Sequence, residues 1–261
     1  MLVAIDVGNT HTVIGVYRGE HLAYHWRIAT DRVRTYDEHR ALLSVLLAEA
    51  GLIPPLRPEG VAVACVVPPL DSAIEQLARE YFGCEPLMVG PGVRTGLPIL
   101  YENPKDVGAD RIVNAVAAFE HFRSACIVVD FGTATTFDYV TARGEYAGGA
   151  IAPGLGVSME ALAAHAARLF QVELARPPEA IGRTTVHALQ SGLIFGYTGL
   201  VDGLVERIQK ERGEGAHVLA TGGTAALIAR ESATIEEVDE FLTLKGLRLV
   251  FERNRRPDSG P

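Results

Sequence analysis

Residues 130–140, DFGTATTFDYV, repeat the pattern of residues 6–16, DVGNTHTVIGV, at an offset of 124 residues. The identical pairs in the two copies include Asp6 with Asp130, Gly8 with Gly132, and Thr12 with Thr136. An apolar run precedes each copy, and an Arg-Gly-Glu turn follows each one, at residues 18–20 and 143–145. Since a shared strand, turn and hairpin rarely coincide by chance, the pattern predicts an internal duplication.

The segments around the two copies predict an α/β chain built from one unit that occurs twice. For the first copy we expect strands at Leu2–Val7, His11–Arg18, His21–Ile28, Gly60–Val66 and Pro86–Val89, with helices at Tyr36–Ala50, near Leu70–Tyr81 and from about Gly108 to Phe122. For the second copy we expect later strands at Glu145–Ile151, His217–Ala220 and Leu247–Phe251, with helices near Leu155–Leu169, near Thr184–Arg212 and after Gly222. This arrangement predicts two domains, residues 1–122 and 123–261.

Composition and charge exclude several classes of protein. The chain has 24 Lys and Arg against 32 Asp and Glu, a net charge of −8, whereas nucleic-acid binding needs a basic face. The three cysteines fit neither a metal-ligand spacing nor a disulfide framework. The N-terminus lacks a signal peptide, and the uncharged stretch 184–201 has enough polar residues to favour a buried helix over a membrane span. We therefore expect a cytoplasmic protein without nucleic-acid or membrane partners.

Both repeated turns have the composition of a phosphate cradle. An Asp at the end of a strand is followed by a tight turn, in which Gly8 or Gly132 permits close backbone approach. Backbone N–H groups could donate to an anion there, together with the hydroxyls of Thr10, Thr12, Thr133 and Thr135. The Asp could hold a cation beside the phosphates. One such turn could equally be an ordinary capped hairpin, but two in equivalent places favour phosphate binding.

Other nucleotide-binding signatures do not fit this sequence. None of the three lysines follows a glycine, as a P-loop requires, and the glycines at 90, 92 and 96 have the wrong spacing for a dinucleotide fingerprint. In residues 217–225, HVLATGGTA, an apolar strand runs into Thr221-Gly222-Gly223, where bare glycines would let an adenine ring lie against the backbone. A simple strand-to-helix turn explains the same residues equally well.

Residues 101–111, YENPKDVGADR, supply candidate reactive groups between the two repeats, where we expect a cleft. Gly108-Ala109-Asp110-Arg111 opens a predicted helix, so the Asp110 carboxylate gains from the helix N-terminus and Arg111 can reach an anionic group. Taken alone, Asp110 is also explained as a helix-terminal acid without a chemical role.

Together these motifs resemble the type III pantothenate kinase family, of the acetate and sugar kinase/Hsp70/actin superfamily, over nearly the whole chain. The resemblance rests on residues 6–10 (DVGNT), Tyr101 with residues 108–111 (GADR), residues 130–136 (DFGTATT), 148–154 (GGAIAPG), 182–185 (GRTT), 190–192 (QSG) and 221–223 (TGG). The Asp-Gly-Thr turns mark only the superfamily, whereas GADR and GGAIAPG are much more specific. The resemblance implies duplicated ribonuclease H-like βββαβαβα domains, an actin-like ATPase architecture with a cleft between them.

The resemblance also implies a reaction, the ATP-dependent phosphorylation of pantothenate to 4'-phosphopantothenate, which is the first step of coenzyme A biosynthesis. It implies Mg²⁺ and an activating monovalent cation, K⁺ or NH₄⁺, held by Asp130. By match, the ATP phosphates would be bound by Asp6, Val7, Gly8, Asn9, Thr10, His11, Thr12 and Val13, assisted by Thr133. Pantothenate would be bound by Tyr101, Gly108, Ala109, Asp110, Arg111 and Thr185, with Asp110 as the catalytic base.

Assembly can be read in two ways from the sequence. The predicted helix 184–212 carries an apolar face of small residues: Leu189, Gly192, Leu193, Gly196, Gly199, Leu200 and Gly203. The residues alone favour an internal core helix, whereas the resemblance implies a homodimer whose pocket is completed across the interface by Thr185.

Two alternative functions stay open at this point. One is another small-molecule kinase of the same superfamily, with a sugar or a carboxylate as its acceptor. The other is a nucleotide-binding regulator of transcription without turnover, against which the intact Asp110 and the negative net charge both argue.

Overall fold

The computed structural model describes residues 1–52, 56–166 and 168–255, and its strands form two five-stranded sheets. The first sheet has the spatial order β3-β2-β1-β4-β5, formed by β1 (Leu2–Val7), β2 (His11–Arg18), β3 (His21–Ala29), β4 (Gly60–Cys65) and β5 (Pro86–Met88). The second has the order β10-β9-β6-β7-β8, formed by β6 (Cys126–Phe131), β7 (Ala134–Val140), β8 (Tyr146–Pro153), β9 (His217–Gly222) and β10 (Glu237–Val238). Both sheets share one strand order and one set of parallel and antiparallel pairings, which confirms the predicted duplication and α/β fold.

The helices follow the predicted pattern closely, with one exception described below. They are α1 (Tyr36–Glu49), α2 (Asp71–Gln76, continued by a π-helical turn at Leu77–Phe82), α3 (Ala109–Phe122), α4 (Leu155–His165), α5 (Thr185–Arg212), α6 (Ala225–Ala229) and α7 (Leu242–Asn254). Their ends have chemical causes. Thr35 and Glu38 form a capping box at the start of α1, and the Thr184 hydroxyl caps α5. Gly213 ends α5 in the left-handed region, at φ +68°.

The predicted strand at Leu247–Phe251 is wrong, because these residues lie inside helix α7. The run LRLVF alternates over a few residues, as a strand would. The buried residues Leu244, Leu247 and Val250, however, recur every three residues, which is a helical spacing. The reach of α7 into the core explains two glycines that have no room for a side chain. A Cβ on Gly60 would overlap the ring of Phe251, and one on Gly246 would overlap the carbonyl of Val113.

The chain forms two compact units whose boundaries differ from those of the repeats. The first unit contains the described residues of Met1–Leu97, Glu102–Ala117 and those from Thr243 onward; the second contains Pro98–Tyr101 and Ala118–Leu242. Helix α7 therefore follows the second repeat in the sequence but packs into the first unit. The predicted division at residue 122 describes the two repeats and stays a prediction for independently folding domains.

The two repeats differ by one residue in each of two turns, and the differences cancel. In the first repeat Val7 pairs with Thr12, whereas in the second Phe131 pairs with Thr135, so the turn after β6 is one residue shorter. The structural partner of Thr12 is therefore Thr135, and the predicted match with Thr136 is wrong. The following hairpin is one residue longer in the second repeat, since Arg18 pairs with His21 while Thr141 bonds Glu145.

Each sheet packs its own apolar core against helices of the same unit. In the first unit, Ile5 and Val7 of β1 share a buried cluster with Leu43 and Leu47 of α1. In the second unit, the β6 residues Ile127, Val129 and Phe131 share a cluster with Ile194 and Val201 of α5. These continuous apolar strands match the runs from which the sequence predicted buried sheets. None of the helices in the described ranges has the combined length and apolar character of a bilayer-spanning segment.

The cysteines are free thiols in this fold, and two of them have the inert character expected from their apolar surroundings. Burial raises the pKa of the Cys126 thiol to about 12. Burial, with a contribution from Asp71, does the same for Cys65. Neither thiol is therefore a nucleophile at neutral pH.

Candidate active site

The first turn, residues 8–10, joins β1 to β2 at the carboxyl end of β1. The N–H of Gly8 donates to the His11 carbonyl oxygen at 3.0 Å, which closes the turn. Residues 9–11 are exposed, so their backbone and side-chain donors are open to solvent, whereas Val7 is buried in the sheet. Three of the residues matched to the ATP phosphates, Asn9, Thr10 and His11, are thus exposed at this turn.

Four further members of that set, residues 6, 7, 12 and 13, lie in the strands that flank the first turn. Asp6 and Val13 are half-buried and face each other across β1 and β2. Asp6 also lies beside Ala64 of the parallel strand β4. The Asp6 carboxylate therefore stands at the strand end, as the sequence predicted.

A loop that follows β3 is hydrogen-bonded to the first turn and places the positive charge of Arg32 beside it. The N–H of Thr30 donates to the Thr10 carbonyl oxygen at 2.9 Å. The guanidinium of Arg32 donates to the side-chain oxygen of Asn9 at 3.0 Å. Arg32 was not predicted from the sequence, because charged residues in the loop after a strand are too common a pattern to mark a site.

The second turn, Gly132 and Thr133, has the same construction with one residue fewer. The N–H of Gly132 donates to the Ala134 carbonyl oxygen at 3.0 Å, and both turn residues are exposed. The N–H of Gly154 donates to the Thr133 carbonyl oxygen at 3.0 Å, the equivalent of the Thr30 bond in the first repeat. In the second repeat, however, helix α4 begins directly after this bond, so a helix N-terminus stands where the first repeat has its loop.

Two of the four threonine hydroxyls predicted to line the turns point elsewhere. Thr12 is buried, and its hydroxyl lies 2.9 Å from that of Thr30. Thr135 is buried, and its hydroxyl has no hydrogen-bond partner among the described residues. The cause is strand register, because residues directly opposite in an antiparallel pair project to the same face, and Thr12 and Thr135 face the core residues Val7 and Phe131.

Asp130 stands at the end of β6 and is half-buried beside two glycines. A Cβ on Gly222 would lie 2.7 Å from Oδ1 of Asp130 and 2.6 Å from the Phe131 carbonyl oxygen, and Gly222 has φ +94°. The bare face of Gly222 therefore makes room for the Asp130 carboxylate, and the contact of an adenine ring with residues 221–223 stays a prediction. An aspartate oxygen and a backbone carbonyl oxygen are donors that a cation accepts, so Asp130 and the Phe131 carbonyl could hold one.

Asp110 lies in the first turn of α3, in the first unit, and it is half-buried. The N–H of Arg111 donates to its Oδ1 at 2.8 Å, and the same oxygen packs against Gly108, where a Cβ would collide with it. Burial raises the pKa of Asp110, although the Arg111 N–H and its charge oppose the shift. The arrangement is an oriented carboxylate with raised basicity, which is what a general base requires.

Tyr101 and Thr185 lie in the second unit. The Tyr101 ring is about one-third exposed, at 36%, and its Cε2 lies 3.5 Å from the position that a Cβ on Gly148 would take. Thr185 is exposed in the first turn of α5, directly after the capping residue Thr184. Both side chains are accessible to a ligand.

A buried pair of side chains next to Tyr101 was not predicted from the sequence. The hydroxyl of Tyr146, which is 1% exposed, donates to Oδ1 of the fully buried Asp138 at 2.6 Å. The available signal was Asp138 itself, since a carboxylate inside the apolar strand run FDYV needs a buried partner.

Comparisons with known proteins point to one family. Residues 2–207 match the family model of type III pantothenate kinase. A protein of Anaeromyxobacter sp. (strain Fw109-5) named type III pantothenate kinase is 59% identical over 255 residues, which covers 98% of this chain and 100% of that protein.

Solved structures with low sequence identity share the fold. The ethanolamine utilization protein EutJ from Carboxydothermus hydrogenoformans aligns with a TM-score of 0.58 at 16% identity, covering 95% of this chain and 89% of that one. MreB 5 of Spiroplasma citri, solved with AMPPNP, aligns with a TM-score of 0.54 at 10% identity, covering 96% and 97%. These likenesses confirm the predicted actin-like architecture of duplicated ribonuclease H-like domains.

Proposed function

Because the chain belongs to the type III pantothenate kinase family, it is an ATP-dependent pantothenate kinase of coenzyme A biosynthesis, and we propose that Asp110 is its catalytic base. The observation that carries this assignment is the environment of Asp110 described above. A carboxylate whose pKa is raised by burial is a stronger proton acceptor than an exposed one. Asp110 then accepts the proton of the attacking pantothenate hydroxyl as the phosphoryl group is transferred.

The first turn binds the ATP phosphates in this proposal. Its exposed residues Asn9, Thr10 and His11 offer backbone N–H groups and a hydroxyl at the end of a strand, and Thr133 offers the same on the second turn. Asp6 stands at the strand end, where the divalent metal that accompanies ATP would be held. Positioning and charge neutralisation are most of what phosphoryl transfer requires of a protein.

Asp130 holds the activating monovalent cation, K⁺ or NH₄⁺. Among the described residues no three His, Cys, Asp or Glu side chains converge, so the remaining ligands would be backbone carbonyl oxygens such as that of Phe131. A bound cation would neutralise negative charge next to the second turn. ATP as co-substrate supports a cytoplasmic location.

Pantothenate contacts Tyr101, the segment Gly108–Arg111, and Thr185 from the partner of a homodimer. The dimer is supported by helix α5, on which Gly192, Gly196 and Gly199 are exposed with open space where a Cβ would project. A helix of the partner could approach closely over these glycines. Within the predicted face Leu193 is an exception, because it is buried in the core of its own unit.

A substrate panel tests the proposal directly. We expect ATP turnover with pantothenate, and none above background with glucose, glycerol or acetate, with higher rates in K⁺ than in Na⁺ buffer. Turnover with a sugar or with acetate alone would contradict the proposed acceptor. Equal rates in the two buffers would contradict the monovalent-cation site and leave the acceptor assignment intact.

A further inference from the structure

The segment that ends in Tyr101 is attached to the edge of the second sheet at a single residue. The N–H of Tyr146 donates to the Pro98 carbonyl oxygen at 2.8 Å, and the N–H of Leu100 donates to the Tyr146 carbonyl oxygen at 2.8 Å. Ile99 thereby forms a parallel bridge with Tyr146. Both backbone bonds that hold this segment are made by Tyr146, the first residue of β8.

The side chain of Tyr146 links this attachment site of the Tyr101 segment to the interior of the second sheet. Its ring centroid lies 6.5 Å from that of Tyr101, at an interplanar angle of 52°. Its hydroxyl donates to Asp138, whose second oxygen accepts from the Thr136 hydroxyl at 3.1 Å. A hydrogen bond from a buried hydroxyl to a buried carboxylate is strong, so it fixes the Tyr146 ring in one place.

A β-bulge in β8 lies next to Tyr146, the residue whose backbone bonds and side chain meet the Tyr101 segment. Tyr139 pairs with Gly148 while Val140 pairs with Tyr146, so Ala147 is the extra residue on β8. Bulges bend a strand and re-aim its side chains, and they occur often next to active sites. Gly148, at φ +101°, leaves its bare face under the Tyr101 ring. The first repeat has the same bulge at Ala23, but Tyr24 stands where the second repeat has Gly148.

We propose that Tyr146, anchored by Asp138, is a positioning residue that sets the place of the Tyr101 ring and so the affinity for pantothenate. The inference rests on the proposed function, in which Tyr101 contacts pantothenate. Asp138 pairs with Val128, three residues before the end of β6, so its bond with Tyr146 lies inside the sheet and not at the turn of residues 132 and 133. Loss of this bond therefore moves Tyr101 without altering ATP binding or the phosphoryl-transfer step.

The test compares two buried tyrosines of the same sheet. Tyr146→Phe keeps the ring and removes the hydroxyl, and we expect the KM for pantothenate to rise roughly 10-fold, with kcat and the KM for ATP within about 2-fold of wild type. The matched control is Tyr139→Phe, because Tyr139 is 2% exposed and its hydroxyl donates to Glu214. That variant should leave the KM for pantothenate unchanged. A Tyr146→Phe enzyme with wild-type KM overturns the proposal.

A double-mutant cycle separates the proposal from the function on which it rests. In a Tyr101→Ala enzyme, Tyr146→Phe should raise the KM for pantothenate no further, because Tyr146 acts through the missing ring. Effects that multiply would show that Tyr146 acts by another route. If Tyr101→Ala alone leaves this KM unchanged, the assignment of Tyr101 to the pantothenate site is what fails.

A second variant covers the case in which Tyr146→Phe does not fold. Leu100→Pro removes the N–H that donates to the Tyr146 carbonyl, and Leu100 is 55% exposed, so the core is untouched. It should produce the same selective rise in KM for pantothenate. A folded Leu100→Pro enzyme with wild-type KM would contradict the positioning role.

Discussion

Asp110 shows at the scale of one residue how an environment that favours catalysis opposes stability. We expect Asp110→Asn to lower kcat by ~10²–10⁴, because the amide keeps the shape and the hydrogen bond from Arg111 but cannot accept the proton. Steady-state turnover with pantothenate measures this effect, and direct ATP binding should be unchanged. Turnover within a few-fold of wild type would show that Asp110 is not the base.

The same substitution should stabilise the folded enzyme at neutral pH. Burial raises the pKa of Asp110 in the folded state, so folding favours the protonated acid and the charged form reduces the free energy of unfolding. The reduction in the free energy of unfolding is complete at pH values above the raised pKa. It is absent at pH values below the ordinary pKa of an aspartate. The thermal midpoint of Asp110→Asn should therefore exceed that of wild type near pH 7.5, and the difference should shrink as the pH falls through the raised pKa. A variant less stable than wild type at pH 7.5 would contradict the inferred burial of the charge.

At the scale of one element, the three glycines of GGAIAPG lie in strand β8 or directly after it. Each of them is in close contact with a different neighbour. Gly148 lies under Tyr101, and a Cβ on Gly154 would overlap backbone carbonyl oxygens of the second turn. Gly149 is the most restricted, because its Cβ would overlap the Phe137 carbonyl oxygen on the paired strand β7. The motif is therefore a requirement of backbone packing around the site, and none of its glycines needs to touch a substrate.

Gly149→Ala should destabilise the fold by about 3 kcal/mol or more, since β8 has to move away from β7 to admit the methyl group. Gly156→Ala is the matched control, because Gly156 lies in helix α4 with open space around its Cβ position. There the change should be neutral or stabilising by up to about 1 kcal/mol. Urea denaturation of both variants measures the difference, and equal midpoints would mean that β8 tolerates the side chain.

At the scale of the whole molecule, the sequence was sufficient for features carried by local pattern. Strands β1–β9 and the exposed turns followed from apolar runs and turn residues, whereas the short strand β10 was not predicted. Helix α7 could not be recognised, because the short run LRLVF at residues 247–251 fits a strand or a helix until its packing partner is known. The bare face of Gly222 and the pair of Tyr146 with Asp138 depend on which strands become neighbours, which no single segment encodes.

Subunit complementation is the prediction that belongs to the assembled enzyme. The exposed glycines of α5 and the accessible Thr185 at its start support a dimer in which Thr185 completes the pocket of the partner. Asp110→Asn and Thr185→Arg should each be inactive alone. After the two chains are unfolded and refolded together, a heterodimer should hold one pocket with wild-type Asp110 from one chain and wild-type Thr185 from the other.

Random pairing at equal amounts makes half of the dimers mixed, with one working pocket of two in each, so about a quarter of the wild-type activity should return. Each variant refolded alone is the control, and native mass spectrometry counts the mixed dimers. If Thr185 acted within its own chain, both pockets of every mixed dimer would carry one damaged residue, and no activity would return. A Thr185→Arg chain that is fully active alone would instead place Thr185 outside the pocket, because a bulky cation could not be accommodated where pantothenate binds.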